Sequence, residues 1–448
     1  MNNLQRYILL LCLISLTLGC DSDYLEKKPQ KSLLVPTTLS DMQAMLDNSR
    51  ELMNVSPYLN IISDGEFRML DAGLNGQARA VQNAYVWSSE ESATMADWDI
   101  PYKQVFYANV VLDGLAKLSH QDSQEEFNRI RADALFFRGL AFFNLVQLFC
   151  APYQQASAEQ QLGIPLPVSS DVNLKMPRAS LKASYEQVLK DLLEAAPLLE
   201  NKPLYLTRPS KAAARALLAR VYLLMGNYTQ ALQYAENALE LQNALIDYNS
   251  VPTQSAISFP LPLNTVNPEV LFYVRANTSF LNNASVFVDS ALYNSYAEND
   301  LRKKILFTSA LKYKGSYVGT ANPFQGLSTN ELYLIKAECL ARADETDLAM
   351  NTLDVLLQNR WVSGSYKPLK ANNPDHALEI VIYERRKELV ARGLWWQDLR
   401  RLATDSRFNF KLERTSMGVV HQLAAGDDRY VYKIPLDELA GNPLMQNP

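Results

Sequence analysis

Apolar residues recur at intervals of three and four along most of this 448-residue chain, which is the spacing of one face of an α-helix. Glycine is scarce, at 16 residues, and helix-forming residues are abundant. The pattern therefore predicts a mainly α fold. Its helices are expected over residues 39–50, 97–118, 126–149 and 184–200.

The stretch 208–242 gives the most specific pattern, a helix, a Gly226-Asn227 turn and a second helix. Small and apolar residues stand at the spacing of a tetratricopeptide repeat, in which two helices pack closely. A weaker copy covers 331–358. Residues 135–142 fit the first helix of a third pair, whose partner would be 184–200, with 150–178 inserted between them. A solenoid of so few adjacent repeats would not be stable by itself. The pairs are therefore expected to pack against other parts of the chain.

Residues 243–328 interrupt the helical pattern with prolines, asparagines, serines and many aromatic residues. An insertion of this length in a helical scaffold is a common location of binding function. We therefore expect a loop-rich binding insertion there, between helical-repeat segments at about 126–242 and 329–402.

The N-terminus has the composition of a secretory signal. An apolar run at 7–18 follows Arg6 and ends at Gly19-Cys20, and it is too short to span a bilayer. Glycine before cysteine resembles a bacterial lipobox, although Thr17 departs from that pattern. This predicts a signal peptide at 1–19, a lipid-modified Cys20 and a tether at 20–38. The alternative is an ordinary signal peptide with an incidental cysteine.

The charged and reactive residues exclude several function classes. The net charge is −5 and no basic stripe occurs, which argues against nucleic acid. The three histidines are far apart, and no metal motif, phosphate loop or catalytic triad is present, so we expect no metal, no cofactor and no catalysis. Cys150 and Cys339 lie in apolar helical patterns and are expected to be buried. The sequence leaves open whether they form a disulfide.

Several short motifs, spread over nearly the whole chain after residue 19, resemble those of one family. They are the segment 20–29 with its acidic, aromatic-leucine and proline residues; Trp98, Tyr102 and Asn109; residues 131–153 with 163–167; YERRKEL at 383–389 with RGLWWQDLRR at 392–401; and the final IP, NP and QNP. On these motifs the chain resembles the SusD/RagB-type outer-membrane nutrient-binding lipoproteins of Bacteroidetes.

The resemblance implies one α-helical, tetratricopeptide-based SusD-like domain over 39–448, anchored to the outer membrane by lipid and exposed at the cell surface. Such a protein sits on a TonB-dependent, SusC-like barrel and delivers a bound glycan to it, or in RagB-like members a peptide. The alternatives are a scaffold that holds partner proteins without a small ligand, and an enzyme acting through carboxylates. The chain is short for the family, and the shortfall is expected in the binding loops.

Candidate ligand contacts are residues whose side chains suit sugars or peptides. Glu384 and Glu388 are instead interpreted as members of a salt-bridge network, and Trp395 and Trp396 as core or docking residues. Trp98 is interpreted as a structural residue rather than one that stacks on a ligand. Tyr293 and Tyr296 can share a helix face in the core. Tyr313, Tyr317 and Phe324 are expected in a more exposed setting. The candidates are Asp64, Arg68, Trp87, Trp98, Tyr293, Tyr296, Tyr313, Tyr317 and Phe324.

Overall fold

The computed structural model describes residues 36–91, 93–118, 123–259, 267–276 and 278–448. Within it, Thr37–Pro448 form one compact unit. The predicted signal peptide, Cys20 and nearly all of the tether 20–38 lie outside the described residues and stay predictions.

The fold is mainly α, as predicted. Its helices are α1 Leu39–Leu46, α2 Leu59–Ser63, α3 Asp71–Asn75, α4 Arg79–Tyr85, α5 Met95–Leu115, α6 Gln124–Phe149, α7 Leu181–Ala195, α8 Lys211–Leu224, α9 Tyr228–Leu241, α10 Ser290–Asn294, α11 Leu301–Leu306, α12 Thr329–Arg342, α13 Thr346–Leu357, α14 Pro374–Glu388, α15 Leu394–Leu402 and α16 Leu436–Gly441. The strands are β1 Val55–Ser56, β2 Phe67–Met69, β3 Val270–Phe272, β4 Arg275–Ala276, β5 Val286–Val288, β6 Leu327–Ser328, β7 Leu412–Ser416 and β8 Val419–Leu423.

Helices α8 and α9 form the predicted tetratricopeptide-like pair. Ser210 caps α8 by accepting a hydrogen bond from the Ala213 N–H at 3.0 Å, and Gly226 provides the left-handed turn with φ of 72°. Fully buried alanines on both helices let the backbones approach closely. Helices α12 and α13 repeat this arrangement around a left-handed Asp344. The two predicted pairs are therefore confirmed.

The third predicted pair is also confirmed, because α6 packs along α7 across the proline-rich segment that separates them in sequence. Gly139 permits the close approach, since a β-carbon there would lie 3.1 Å from Leu192. Beside it, Arg138 forms a buried ion pair with Asp191 at 2.7 Å. Among the described helices, α6 is the one long and apolar enough to cross a bilayer, and it is almost entirely buried in the protein interior.

The insertion 243–328 is loop-rich in its described part, and two of its short strands pair with strands that precede it. Strand β1 pairs with β4 in parallel, while β2 pairs with β5 and β3 with β6 in antiparallel register. Residues 57–70 contain α2 and β2, and β2 pairs with β5 of the insertion. Cys150 and Cys339 are both buried and free, so they do not form a disulfide.

Candidate functional site

Strand β2 forms one wall of a surface cleft. The alternation of a strand buries Phe67 and Met69 and turns Arg68 outward, with 61% of its side chain exposed. The Arg68 Nε donates to Asp289 at 2.7 Å, and Asp289 also caps α10 through the Ala291 N–H. The pairing of β2 with β5 thus places a predicted site residue beside the start of α10.

The β7–β8 hairpin forms the opposite wall, and here the alternation buries a charged residue. Leu412, Arg414 and Ser416 point inward, while Glu413 and Thr415 are exposed. The Arg414 guanidinium lies over the ring of Tyr85 at 4.0 Å and over that of Trp87 at 4.3 Å. Burial lowers the pKa of Arg414 from its ordinary value.

Between these walls lie two adjoining depressions with volumes of about 240 and 360 Å³. Arg68, Glu413 and Arg414 border both of them. The smaller one is also lined by Arg386 from α14, Trp395 from α15 and the half-buried Phe410. The cleft therefore combines the half-buried ring of Phe410 with charged groups that can donate and accept hydrogen bonds.

Two buried carboxyl groups lie beneath the cleft, on either side of Gly65. Asp64 and Glu66 are fully buried, and the Glu66 carboxylate accepts a hydrogen bond from the Ala391 N–H at 2.7 Å. Burial raises the pKa of Asp64 to about 7. Burial, reinforced by the Asp64 charge, also holds the pKa of Glu66 well above its usual range. Asp64, a predicted ligand contact, is therefore not accessible from the surface.

Of the nine predicted ligand contacts, Arg68 is exposed and Tyr293 is half-buried. The other seven are buried, so the prediction that Tyr313, Tyr317 and Phe324 lie in an exposed setting is wrong. A ring covered by protein offers no face to a sugar, and Asp64 offers no free oxygen at the surface. The exposed fractions are Asp64 0%, Trp87 3%, Trp98 3%, Tyr296 2%, Tyr313 7%, Tyr317 0% and Phe324 0%.

The buried aromatics have structural partners. The Trp87 Nε1 donates to the Ser63 carbonyl at 2.8 Å, and the Tyr296 hydroxyl donates to the Lys387 carbonyl at 2.8 Å. The Arg392 guanidinium covers the rings of Tyr317 and Phe324 at 4.9 and 5.0 Å. Tyr313 packs edge-on against Phe67 at 5.9 Å. These rings hold the insertion onto the scaffold.

The W…Y…N motif of α5 positions the proline-rich segment. Trp98 packs against Tyr102 and Phe149. The Tyr102 hydroxyl donates to the Pro165 carbonyl at 3.0 Å, and the Asn109 side chain donates to the Pro167 carbonyl at 2.9 Å. The structural interpretation of Trp98 therefore accounts for its contacts, although it also borders a separate depression of about 210 Å³.

The paired glutamates of α14 belong to an ion-pair network, as predicted. Glu388 accepts from Arg360 at 2.9 Å and lies 3.3 Å from Arg302, and Glu384 lies 2.7 Å from Arg302. Arg392, four residues after Glu388 in sequence, instead donates to the Ser328 hydroxyl. Trp395 and Trp396 are core residues, exposed by 3% and 0%.

Sequence reasoning missed the residues that complete the cleft, namely Arg386, Phe410, Lys411 and Arg414. A signal for the hairpin was present, since LERTSMGVVHQL alternates on both sides of a Met417-Gly418 turn. Nothing in the alternation indicated that the inward residue Arg414 would border a cleft formed with α14 and β2.

A further depression, of about 730 Å³, lies on the repeat surface between α9, α12 and α13. Tyr333 and Lys336 form its floor, with the exposed side chains of Leu348 and Val355 at its edge. Its volume exceeds that of either depression at the cleft, and its lining comes mainly from the tetratricopeptide-like pairs.

Comparison with known proteins gives matches over most of the chain. Residues 23–223 match a family model described as SusD-like, starch-binding associating with outer membrane, and residues 312–447 match the model of the SusD family. The SusD-like protein P2 of Formosa agariphila is 25% identical, over 89% of this chain and 91% of that protein.

Solved structures share the fold. A SusD superfamily protein from Bacteroides thetaiotaomicron has a TM-score of 0.74 at 24% identity, covering 92% of this chain and 100% of that one. A protein from Bacteroides vulgatus described as a putative sugar binding protein has a TM-score of 0.73 at 24% identity, covering 92% and 99%.

Proposed function

The chain belongs to the SusD family, and from that premise we propose that it captures a nutrient oligosaccharide at the cleft between β2 and β7 and delivers it to a SusC-like, TonB-dependent outer-membrane transporter. The family is one of outer-membrane-associated carbohydrate-binding proteins. The observation that carries the proposal for this chain is the cleft itself. It places the half-buried ring of Phe410 beside hydrogen-bonding groups.

The aromatic part of the cleft suits a sugar. Phe410 is half-buried, and the exposed Tyr383 packs edge-on against it at 6.3 Å. Phe410 also packs edge-on against Trp395 at 5.0 Å, so the outer rings rest on a rigid base. The C–H groups of a pyranose ring favour contact with the negative face of an aromatic ring. Arg68, Asp289 and Glu413 border the same space and can hydrogen-bond hydroxyl groups.

The binding proposal is tested by isothermal titration of the chain from residue 21 onward, which contains the whole compact unit. The panel comprises oligosaccharides and peptides of matched length. Saturable binding of an oligosaccharide, weakened at least ten-fold by Phe410→Ala, is the expected result. Binding of peptides alone would favour a RagB-like peptide carrier. Turnover of any panel member by the pure protein would contradict a purely binding role.

Delivery to a transporter requires a docking surface. The depression between α9, α12 and α13 supports this part of the proposal, because exposed apolar side chains border it and its lining includes charged groups that can set specificity. Co-purification with the barrel encoded by a neighbouring reading frame is expected. Co-purification without binding of any panel ligand would favour the scaffold alternative.

Membrane attachment through Cys20 is the remaining part of the proposal. A lipid-modified N-terminal residue would tether the compact unit, since two or three acyl chains anchor stably where one does not. In cells given a fatty-acid analogue, the wild-type protein should be labelled and Cys20→Ala should not. Labelling that survives the substitution contradicts the anchor.

A further inference from the structure

Two arginines at the cleft lack the ion pairs that several other arginines of the scaffold form. Arg385, next to Arg386 in α14, forms an ion pair with Asp398 at 2.8 Å, and Arg220 forms one with Glu331 at 2.6 Å. Within the described part of the chain, neither Arg386 nor Arg414 has a carboxylate at ion-pair distance. Arg386 instead lies over the Trp395 ring at 4.8 Å, and Arg414 donates one bond to the Ile62 carbonyl.

Three hydrogen-bond donors in this region are buried without an acceptor among the described residues. They are the Arg386 Nε, the Trp395 Nε1 and the Arg414 Nη2. Trp395 and Arg414 are only 3% and 6% exposed, and all three side chains line the same 240 Å³ depression. A buried donor without an acceptor costs about 1–3 kcal/mol, more when it is charged. These three donors belong to residues that line one cavity, which makes it the candidate site for a group that accepts hydrogen bonds. The Asp64 Oδ2 and the Glu66 Oε1 are also buried without a donor among the described residues.

The charge of the lining favours an anionic group. Arg68, Lys411 and the two arginines without a carboxylate border the depression, against Asp289 and Glu413. Arg68 is neutralised by Asp289, and Lys411 lies 3.8 Å from Glu413. The two remaining guanidinium groups therefore leave the cavity positive in a protein whose net charge is −5.

The buried carboxyl groups below the cavity cancel only part of this charge. Asp64 and Glu66 face Arg386 from beneath, and Asp64 also faces Arg414. Burial raises the pKa of Asp64 to about 7, and burial together with the Asp64 charge raises the pKa of Glu66 well above its usual range, which favours retention of a proton by the pair near neutral pH. The guanidinium groups thus keep an excess of positive charge over the carboxylates behind them.

We propose that the Arg386–Trp395–Arg414 cavity binds the acidic group of an anionic oligosaccharide, a carboxylate or a sulfate ester. Guanidinium groups donate paired hydrogen bonds to such oxyanions, and the indole N–H adds a third donor. The adjoining 360 Å³ depression and the ring of Phe410 then receive the rest of the sugar chain. This inference rests on the proposed glycan-binding function and specifies its substrate class.

The experiment is isothermal titration of the chain from residue 21 onward with three ligands of equal length. They are an oligogalacturonate, its fully methyl-esterified neutral form and an oligosaccharide of otherwise neutral sugars that carries sulfate esters. We expect at least one acidic ligand to bind ten-fold or more tightly than the neutral form, with the advantage decreasing as salt is added. Equal or tighter binding of the neutral form would overturn the inference while leaving the glycan-binding function intact. Failure of all three ligands to bind would count against both.

The decisive variant is Arg386→Gln, because Arg386 is half-buried and carries no ion pair that the fold needs. It should weaken binding of the acidic ligand about ten-fold or more, and by a clearly larger factor than it weakens binding of the neutral ligand. Arg414→Gln should act in the same direction, but Arg414 also packs on Tyr85 and Trp87, so its result is read together with its thermal stability.

The matched control is Arg50→Gln, which removes an arginine whose side chain is 88% exposed and which does not line the cleft. It should leave every affinity unchanged. An equal loss in Arg50→Gln and Arg386→Gln would show that only the overall charge matters, and it would overturn the assignment of the cavity.

Discussion

The buried network around Glu388 predicts a large and specific loss of stability in Glu388→Gln. One carboxylate oxygen accepts from the Arg360 Nε at 2.9 Å and from the Asn330 side chain at 2.7 Å, and the other lies 3.3 Å from Arg302. Arg302 and Arg360 are both fully buried. The network joins α14 to α11 of the insertion and to the end of the second repeat pair.

The magnitude follows from what remains after the substitution. Removing one member of a buried ion pair costs about 3–5 kcal/mol when a charge is left without compensation. Here Arg302 keeps Asp300 and Arg360 keeps Glu269, at 2.7 and 2.8 Å. The new amide must instead turn its NH₂ toward a neighbouring donor, which loses one charged hydrogen bond or more. We therefore expect a decrease of about 3 kcal/mol in the free energy of unfolding.

The assay is urea unfolding of the chain from residue 21 onward, with the midpoint decreasing at an unchanged slope. The control is Glu384→Gln at the edge of the network. Its side chain is 10% exposed and it also pairs with Lys387, so a loss of about 1 kcal/mol is expected. Equal losses in the two variants would refute the argument that depth of burial and the number of partners decide the cost.

The same network gives a pH signature. Burial alone would raise the pKa of Glu388, but Arg360 and Arg302 outweigh it and hold the pKa below its ordinary value. Because the folded pKa is the lower one, Glu388 stabilises the fold above the unfolded pKa of about 4.3, and this contribution is lost as the pH falls further. The difference between the wild type and Glu388→Gln should therefore shrink below about pH 4.

Three further outcomes are expected. Gly393→Ala should lower the free energy of unfolding by about 2–4 kcal/mol in chemical denaturation, because Gly393 is left-handed at φ of 67° and a β-carbon there would overlap the Asn60 amide. The control Gly418→Ala, equally left-handed but in open space, should lower it by about 1 kcal/mol. Equal losses in the two variants would refute the overlap. Asp64→Asn should flatten the dependence of Tm on pH: burial raises the folded pKa of Asp64 from 3.8 to about 7, so the wild type loses stability as the pH rises through this range, and parallel curves for the two proteins would contradict this. Asn109→Ala should speed proteolysis of the proline-rich segment, whose carbonyl oxygens accept from its amide at 2.9 and 3.1 Å, and an unchanged cleavage pattern would count against that role.

The repeat pairs and the core of the scaffold could be predicted because their signals are local. The 3.6-residue period decides which face of a helix is apolar, and that face is buried whatever it packs against. Gly226 and the alanines of α8 and α9 specified a turn and a close helix pair without reference to the rest of the chain. The ion-pair role of Glu384 and Glu388 followed from the charge density of their helix, although their partners did not.

The exposure of the insertion aromatics could not be predicted, because it depends on residues far away in sequence. Tyr317 and Phe324 follow no helical period, and they are buried because Arg392 lies over both rings. Polar neighbours in sequence made this segment resemble a surface loop. The covering residue comes from the C-terminal motif, which only the tertiary structure brings to it.

The sequence by itself determined the helical class, the repeat pairs, the family motifs and the location of an insertion, since each depends on spacing along the chain. Only the tertiary structure decided where a ligand can be held. The cleft is formed by Arg68 of β2, Arg386 and Trp395 of the C-terminal helices, and Phe410 and Arg414 near the hairpin. Arg68 and Arg414 are hundreds of residues apart in sequence, and no local period relates the segments that carry them. Their juxtaposition arises from long-range strand pairing and helix packing, which also leaves Arg386 and Arg414 without a carboxylate at ion-pair distance among the described residues.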